Sequence, residues 1–388
     1  MTRTRNSFDD NLSHALATLC SIPDHVLSRV NIVLSAAGRD WRGTENVTWM
    51  LVDGFRRRGH NVLVLCRPDS ALHHRLISEN IEHAAVLSGI DLDPTSLFRI
   101  TRALKRFRAD ILLTQKDKDV RLSGVAARMV GVPVLVSHVT DRPLKDKAHY
   151  RFFFGRIATH HVAVSAAVRD TVLKSAPWLT RDVAVIYNGV DIAAIDAAPS
   201  ADLQLPANAV GVGFVGHFEM RKGILDFAQA WQHVSGAVPD AHAVIVGEGR
   251  READFRAAIG DAPRVSWLGF RRDVPSIMKA LDIFVLPSRF EGFGLVIAEA
   301  MAAGAAVIAY DSSNMPEIIS DEVDGLLVPA GDVDALVAAV VRLCREPELR
   351  TQLARAARET AVHRFSAERM VSDYLELMHG IVLALPKR

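Results

Sequence analysis

Apolar runs of four to seven residues alternate with longer stretches whose apolar positions recur at helical spacing, the pattern of parallel strands covered by helices. In the first half the strands fall at 31-NIVLS, 61-NVLVL, 111-ILLT, 133-PVLVSH, 161-HVAVS and 183-VAVIY. A helix is predicted near 45-ENVTWMLVDGFRRRG, with Gly59 suited to its C-terminal cap. The pattern restarts at 209-AVGVGFVG and runs through 242-HAVIV, 264-RVSWLG, 282-DIFVLPS, 305-AAVIAY and 325-GLLV, with three helices after Gly331. The expected fold is α/β, with two Rossmann-like doubly wound domains facing across a cleft.

Residues 1–28 precede the first strand and read as an N-terminal extension. Residues 29–191 form the first domain and 192–207 a linker, where strand periodicity lapses and small residues, Pro and Asp accumulate. The second domain is expected over 208–365, with a terminal helix at 366–388 packing back towards the first. A chain of 388 residues suits two domains.

Composition narrows the class. With 49% hydrophobic and 23% charged residues the chain is globular and extended disorder is excluded. No apolar run suits a membrane-spanning helix and no signal-peptide core is found near the start, so a cytoplasmic location is expected. Cys20, Cys66 and Cys344 are scattered, which implies neither a disulfide framework nor a zinc site.

The net charge of +1 hides a split: residues 1–190 hold 27 Lys+Arg against 18 Asp+Glu, and the remainder 19 against 27. A basic first half suits an anionic partner such as a phospholipid surface or a phosphorylated acceptor, or it is only a solubility pattern. The stretch 98-FRITRALKRFRAD, with Arg99, Arg102, Lys105, Arg106 and Arg108, is amphipathic and faces either an anionic membrane or solvent. Nucleic acid is not expected, because the basic residues form no dense stripe interleaved with aromatics.

The literal G-x-G-x-x-G in 211-GVGFVG falls inside an apolar run, and the next helix begins near 223-GILDFAQAW. Its glycines are read as packing positions; a nicotinamide site is the alternative. More telling is 287-PSRFEGFGLVIAEAMAAG, where a strand ends, glycines open a turn and a helix starts near Gly294. Backbone amides at such a turn suit phosphate. Glu299, in an apolar run, would be costly to bury without hydrogen-bond donors, and ribose hydroxyls would supply them. Glu291 could do the same for a sugar. The other reading is that one acid caps the helix and the other is partnered inside the fold. In 216-GHFEMRKG, Arg221 and Lys222 are placed to neutralise a diphosphate, so no metal and no cofactor are expected.

These residues resemble retaining glycosyltransferase family 4, whose members have the GT-B fold. The segment 291-EGFGLVIAE-299 fits that family's Glu, seven residues, Glu motif, and 186-IYNGVD and 52-VDGFRRRGHNVLVL resemble its interdomain signature and its first helix and second strand. The resemblance implies that Glu291 contacts the donor sugar, Glu299 the ribose, amides of Gly292, Phe293 and Gly294 the sugar and diphosphate, and Lys222 the diphosphate. His217 stands where the family has an arginine, for which Arg221 could substitute. His138 would face the donor sugar, with Glu291 and Lys222 as the other catalytic residues; the other reading of His138 is a hydrogen-bonded structural residue at a strand end. The resemblance further places Gly269 and Phe270 at the nucleobase pocket and Gly43 and Thr44 on the acceptor side, unless Thr44 simply caps the next helix. Glu317 matches the glutamate of a G-G-x-x-E segment whose glycines are Ser313 and Asn314 here.

The implied activity is metal-independent transfer of a sugar from a nucleotide diphosphate sugar to a glycan, glycolipid or other hydroxyl acceptor, with retention, as in lipopolysaccharide, glycolipid or polysaccharide synthesis. Peripheral attachment to the cytoplasmic membrane face is compatible with it. The alternatives are a nucleotide-sugar epimerase or hydrolase on the same fold, and a non-catalytic nucleotide-sugar-binding homologue.

Overall fold

The computed structural model describes residues 29–88, 93–140 and 142–385. The extension expected over 1–28, and Cys20 with it, lies outside them. The first sheet is built from Asn31–Ala36 (β1), Asn61–Cys66 (β2), His83–Ala85 (β3), Ile111–Thr114 (β4), Val134–His138 (β5), His160–Ala163 (β6) and Val183–Val185 (β7). Their order is β3-β2-β1-β4-β5-β6-β7, every pair parallel. The second sheet comprises Val210–Val215 (β8), Ala241–Val246 (β9), Val265–Gly269 (β10), Ile283–Leu286 (β11), Ala306–Asp311 (β12) and Leu326–Pro329 (β13). It runs β10-β9-β8-β11-β12-β13, again parallel throughout.

Continuous apolar runs become strands here because helices cover both faces of a parallel sheet, leaving no polar face to alternate with. Ile32, Val33, Val64, Leu65, Ile283 and Phe284 are all fully buried. The three-residue β3, a partly buried sheet edge, was too short to show in the apolar pattern. The expected run 183-VAVIY ends as strand at Val185, which leaves Tyr187 free to reach the second sheet's unit.

Gly211 and Gly213 lie inside β8, and a Cβ on Gly213 would sit 2.1 Å from Leu281 Cδ1. They are packing glycines, and the following helix, Ile224–Ala237, starts well past Gly216. The C-terminal helix Ala367–Leu383 crosses back onto the helix Gly43–Arg57, where Gly54 is so close that a Cβ would fall 2.4 Å from Val371 Cγ2. Tyr374 on that helix donates from its hydroxyl to Ser137 Oγ at 3.0 Å, bracing the end of β5.

The order of each sheet reverses once, between β1 and β4 and between β8 and β11. Crevices at the carboxyl ends of strands beside such reversals are the ligand sites of open α/β sheets. Among the described residues no helix is long and apolar enough to cross a membrane.

Candidate active site

The loops after β8 and β11 meet at the second reversal. After β8 the chain turns through Met220–Lys222 and then Gly223, at φ +71°. A Cβ on Gly223 would lie 1.9 Å from the Pro287 carbonyl oxygen, so only glycine lets the two loops touch. That contact delivers Lys222 to Glu291: Nζ lies 2.5 Å from Oε1, and both side chains are largely buried. Ser288 Oγ donates to the same oxygen at 2.8 Å. Arg221 Nη1 is 3.6 Å from Glu291 Oε2, and its other bonds go to Glu219 and the Phe290 carbonyl. His217 is partly exposed, 3.8 Å from Glu219.

Beyond Glu291, Gly294 takes φ +84° and opens the helix Leu295–Ala303. Among the described residues no acceptor is found for the amides of Gly292, Phe293 and Gly294, which lie at the positive end of that helix. The Phe293 side chain points into the core against Phe365, so only its backbone can serve a ligand. Glu299 follows on the same helix. Burial pushes its carboxyl up to about 7, and Lys222 only partly opposes this. Gly269, at φ +62° with nothing within 4 Å of its would-be Cβ, and exposed Phe270 end β10.

The first sheet's unit closes over this turn. A Cβ on Gly292 would fall 2.2 Å from the Val139 carbonyl oxygen, one residue past His138, and Ser165 Oγ donates to the Gly292 carbonyl at 2.9 Å. Gly43 sits opposite Leu295. His138 is buried at the end of β5 with Nε2 3.0 Å from Nδ1 of His161.

An anion-ready turn, a buried Lys–Glu pair and a desolvated carboxyl therefore share one crevice, and comparison with known proteins gives the context. Residues 41–194 match the family model described as Glycosyltransferase Family 4, and residues 209–346 the model described as Glycosyl transferases group 1. The lipopolysaccharide core biosynthesis glycosyltransferase LpsE of Rhizobium meliloti (strain 1021) is 30% identical over 345 residues, covering 87% of this chain and 95% of that one. The chain belongs to this glycosyltransferase family. The glycosyltransferase is also 28% identical, over 75% of its length and 80% of the relative's, to the UDP-Gal:alpha-D-GlcNAc-diphosphoundecaprenol alpha-1,3-galactosyltransferase of Escherichia coli. Among solved structures, a glycosyltransferase from Rickettsia africae ESF-5 superposes with TM-score 0.80 at 20% identity, covering 92% of this chain and all of that one. HepE from Anabaena in complex with UDP gives 0.75 at 21% identity, covering 90% and 99%. The two facing Rossmann-like units are the GT-B fold.

The glycosyltransferase holds its turn from behind with Ser312, and with Ser313 and Asn314, the two residues that stand at the glycines of the G-G-x-x-E segment. Ser312 Oγ donates to the Ser288 carbonyl at 2.7 Å, Ser313 Oγ to the Glu291 carbonyl at 2.8 Å and Asn314 Nδ2 to the Phe293 carbonyl at 2.6 Å. Ser313 takes a positive φ of 52°, a left-handed conformation that favours glycine. The three side chains thus tie this segment to the loop by hydrogen bonds, which only the fold reveals.

Glu317 has a different task. Its two carboxylate oxygens accept from the amides of Ala166 and Ala167 at 2.7 Å each, and from Tyr187 Oη at 3.0 Å. It thereby fills the positive end of the helix Ala166–Ser175 in the opposite unit. Glu317→Gln keeps one acceptor oxygen and turns an NH2 group against one of the two amide N–H donors. It is expected to lower stability by about 1–2 kcal/mol, read from the urea midpoint.

At the other reversal, Lys116 Nζ is 2.5 Å from Glu45 Oε1, and buried Asp119 has its carboxyl pushed up to about 7 by burial. Sequence reasoning passed over these residues because Glu45 is early in a helix and Lys116 and Asp119 lie in a charged run. Thr44 does not cap that helix: it is the second helical residue, Arg42 holds the cap position, and no side chain bonds there. Asp117 and Asp119 have the spacing of a metal-holding carboxylate pair, a spacing also present at 91 and 93 that the expectation of a metal-free site overlooked. Tyr150 Oη donates to Asp117 at 3.2 Å, and among the described residues no group of three His, Cys, Asp or Glu could hold a metal.

Proposed function

We propose that this glycosyltransferase moves a sugar from a nucleotide diphosphate sugar to a hydroxyl acceptor with retention of anomeric configuration, and that the donor lies in the crevice between β8 and β11. The observation carrying this reading is the convergence of Lys222, Glu291, the three amides and Glu299 on one turn. In this reading Lys222, with Arg221 beside it, and the amides of residues 292–294 take the diphosphate, where negative charge grows as the glycosidic bond breaks. Glu299 accepts the ribose hydroxyls; Gly269 and Phe270 border the base. Glu291, held by Lys222 and Ser288, lies at the sugar. The acceptor hydroxyl's proton leaves with the departing diphosphate on the same face, so no separate base is required, and closure of the units excludes water. No metal takes part, the cationic side chains and helix end supplying the charge.

The acceptor enters beside β1 and β4, past Gly43 and Thr44. The Escherichia coli relative is named for a diphosphoundecaprenol-linked acceptor, and a lipid-linked acceptor suits this chain's basic first half. Phe98 is exposed on the helix Pro94–Phe107 beside Arg99, Arg102, Lys105 and Arg106, while Ile100 and Leu104 are buried, a face suited to anionic lipid. Failure to sediment with anionic vesicles at low salt would remove that membrane contact.

The test is a thermal-shift screen against uridine, guanosine and adenosine diphosphates and their sugars, followed by NMR of the product's anomeric proton. An inverted product overturns retention. Donor breakdown without acceptor at the rate of transfer would mark a hydrolase, and an isomerised donor an epimerase.

The pH dependence follows from Glu299. Its folded pKa lies above the ordinary 4.5, at about 7, so it contributes stability below pH 4.5 that is lost as pH rises through 7. Glu299→Gln removes this penalty: the free variant should exceed the wild type in melting temperature at pH 8, with the difference vanishing towards pH 4.5. Nucleoside diphosphate binding should tighten through pH 7 in the wild type, as the carboxylate forms, and lose that dependence in the variant.

A further inference from the structure

Behind His138 the structure contains a second histidine to which the donor site above assigns no task. The chain before β6 ends in a π-helical turn, Phe153–Ile157, and the Phe154 carbonyl lies 3.0 Å from His161 Nε2. A carbonyl oxygen can only accept, so this nitrogen carries a hydrogen. His161 is buried, flanked by His138, Arg181 and His160, and burial holds its pKa down to about 3, which keeps the ring neutral. Its Nδ1 is therefore a lone pair. That lone pair lies 3.0 Å from His138 Nε2, so the His138 hydrogen is on Nε2. His138 is also neutral, burial lowering its pKa to about 4. Among the described residues nothing bonds its Nδ1. The two rings are stacked, with centroids 5.2 Å apart, and Phe154 covers His138 at 5.8 Å. Ser137, held by Tyr374, fixes the backbone on one side and the Val139–Gly292 contact on the other.

We infer that His161 is a positioning residue: it fixes His138 as the Nε2–H tautomer, so that His138 presents only a lone pair to the donor sugar and selects a sugar bearing a hydroxyl there over one bearing a carboxylate. The inference rests on the donor reading for the identity of the ligand, but its tautomer is a property of the free protein. A hydroxyl can donate to Nδ1. A carboxylate would meet it lone pair to lone pair, and a buried polar site that cannot be matched rejects its ligand strongly.

The test begins with nitrogen NMR of protein labelled at histidine, at pH 7, with His138 assigned from the spectrum of His138→Ala. The wild type should show His138 protonated at Nε2 and bare at Nδ1. His161→Phe keeps a ring but offers no acceptor, and should leave His138 averaging between tautomers. His161→Gln can both donate to the Phe154 carbonyl and accept from His138, and should restore the tautomer. A hydrogen on Nδ1 in the wild type, or an unchanged tautomer in His161→Phe, overturns the inference. If His161→Phe does not fold, His161→Leu, which likewise offers no acceptor, takes its place under the same expectation.

Calorimetry then separates this inference from the donor reading. UDP alone tests the nucleotide; absence of heat counts against a uridine donor and leaves the nitrogen spectra to judge the tautomer. Where UDP binds, UDP-glucose should exceed UDP-glucuronic acid by about tenfold or more in affinity. His138→Ala should shrink that ratio towards one. Equal affinities in the wild type overturn the selection.

Discussion

Lys222→Ala is expected to reduce kcat/KM for transfer by about 10²–10³, the scale seen when a single group that meets developing charge is removed. It has a second cost. Glu291 Oε1 would keep Ser288 as a donor but lose the ammonium 2.5 Å away, leaving a largely buried carboxylate without its charge partner. Removing one member of a buried pair typically costs about 3–5 kcal/mol, and the partial exposure of Lys222 places the expected loss at or below the bottom of that range. Activity and stability are separable by the double variant Lys222→Met with Glu291→Gln. It should recover most of the denaturation midpoint while remaining inactive. Wild-type turnover by Lys222→Ala with the true donor would sink the proposed site.

Gly292→Ala is expected to be nearly as damaging through geometry alone. The added methyl carbon would lie 2.2 Å from the Val139 carbonyl oxygen, a backbone atom that cannot swing aside. The units must separate slightly, lengthening the Ser165–Gly292 bond and shifting the turn from His138. Misplacement by about 1 Å can cost about 10²-fold in rate. Circular dichroism should stay unchanged while transfer falls. The control is Gly236→Ala in the exposed last turn of the helix Ile224–Ala237, where a Cβ meets nothing within 4 Å. It should leave transfer intact and raise stability by about 0.5–1 kcal/mol. Equal losses in both variants would mean that the seam has no special role.

Much of the architecture was legible because parallel strands buried on two faces leave continuous apolar runs. The ends of β1, β4 and β8 lie within a residue or so of those runs, and the turn at 291–294 announced itself by its glycines. The short β3 was not legible, since three partly buried residues carry no periodicity. Glu291 and Glu299 were visible as acids in unusual company; Glu317 was visible too, but not its partners, Ala166 and Ala167, some 150 positions away. His161 looked like one histidine in a strand. Its importance comes from a carbonyl seven residues earlier and a ring 23 residues earlier.

By itself the sequence determined local things: which segments are strands and helices, where the chain turns, and which residue types stand at strand ends, all consequences of periodicity and of the backbone freedom of glycine. Tertiary structure decided adjacency. That β8 lies beside β11 sets Lys222 on Glu291 across 69 residues, and that the first unit folds over Gly292 brings His138 near the same turn. Hydrogen bonds and ion pairs act over about 3 Å, whereas sequence spacing fixes distance only within one element. Two residues far apart in the chain acquire a shared chemistry only when the sheet order places them together.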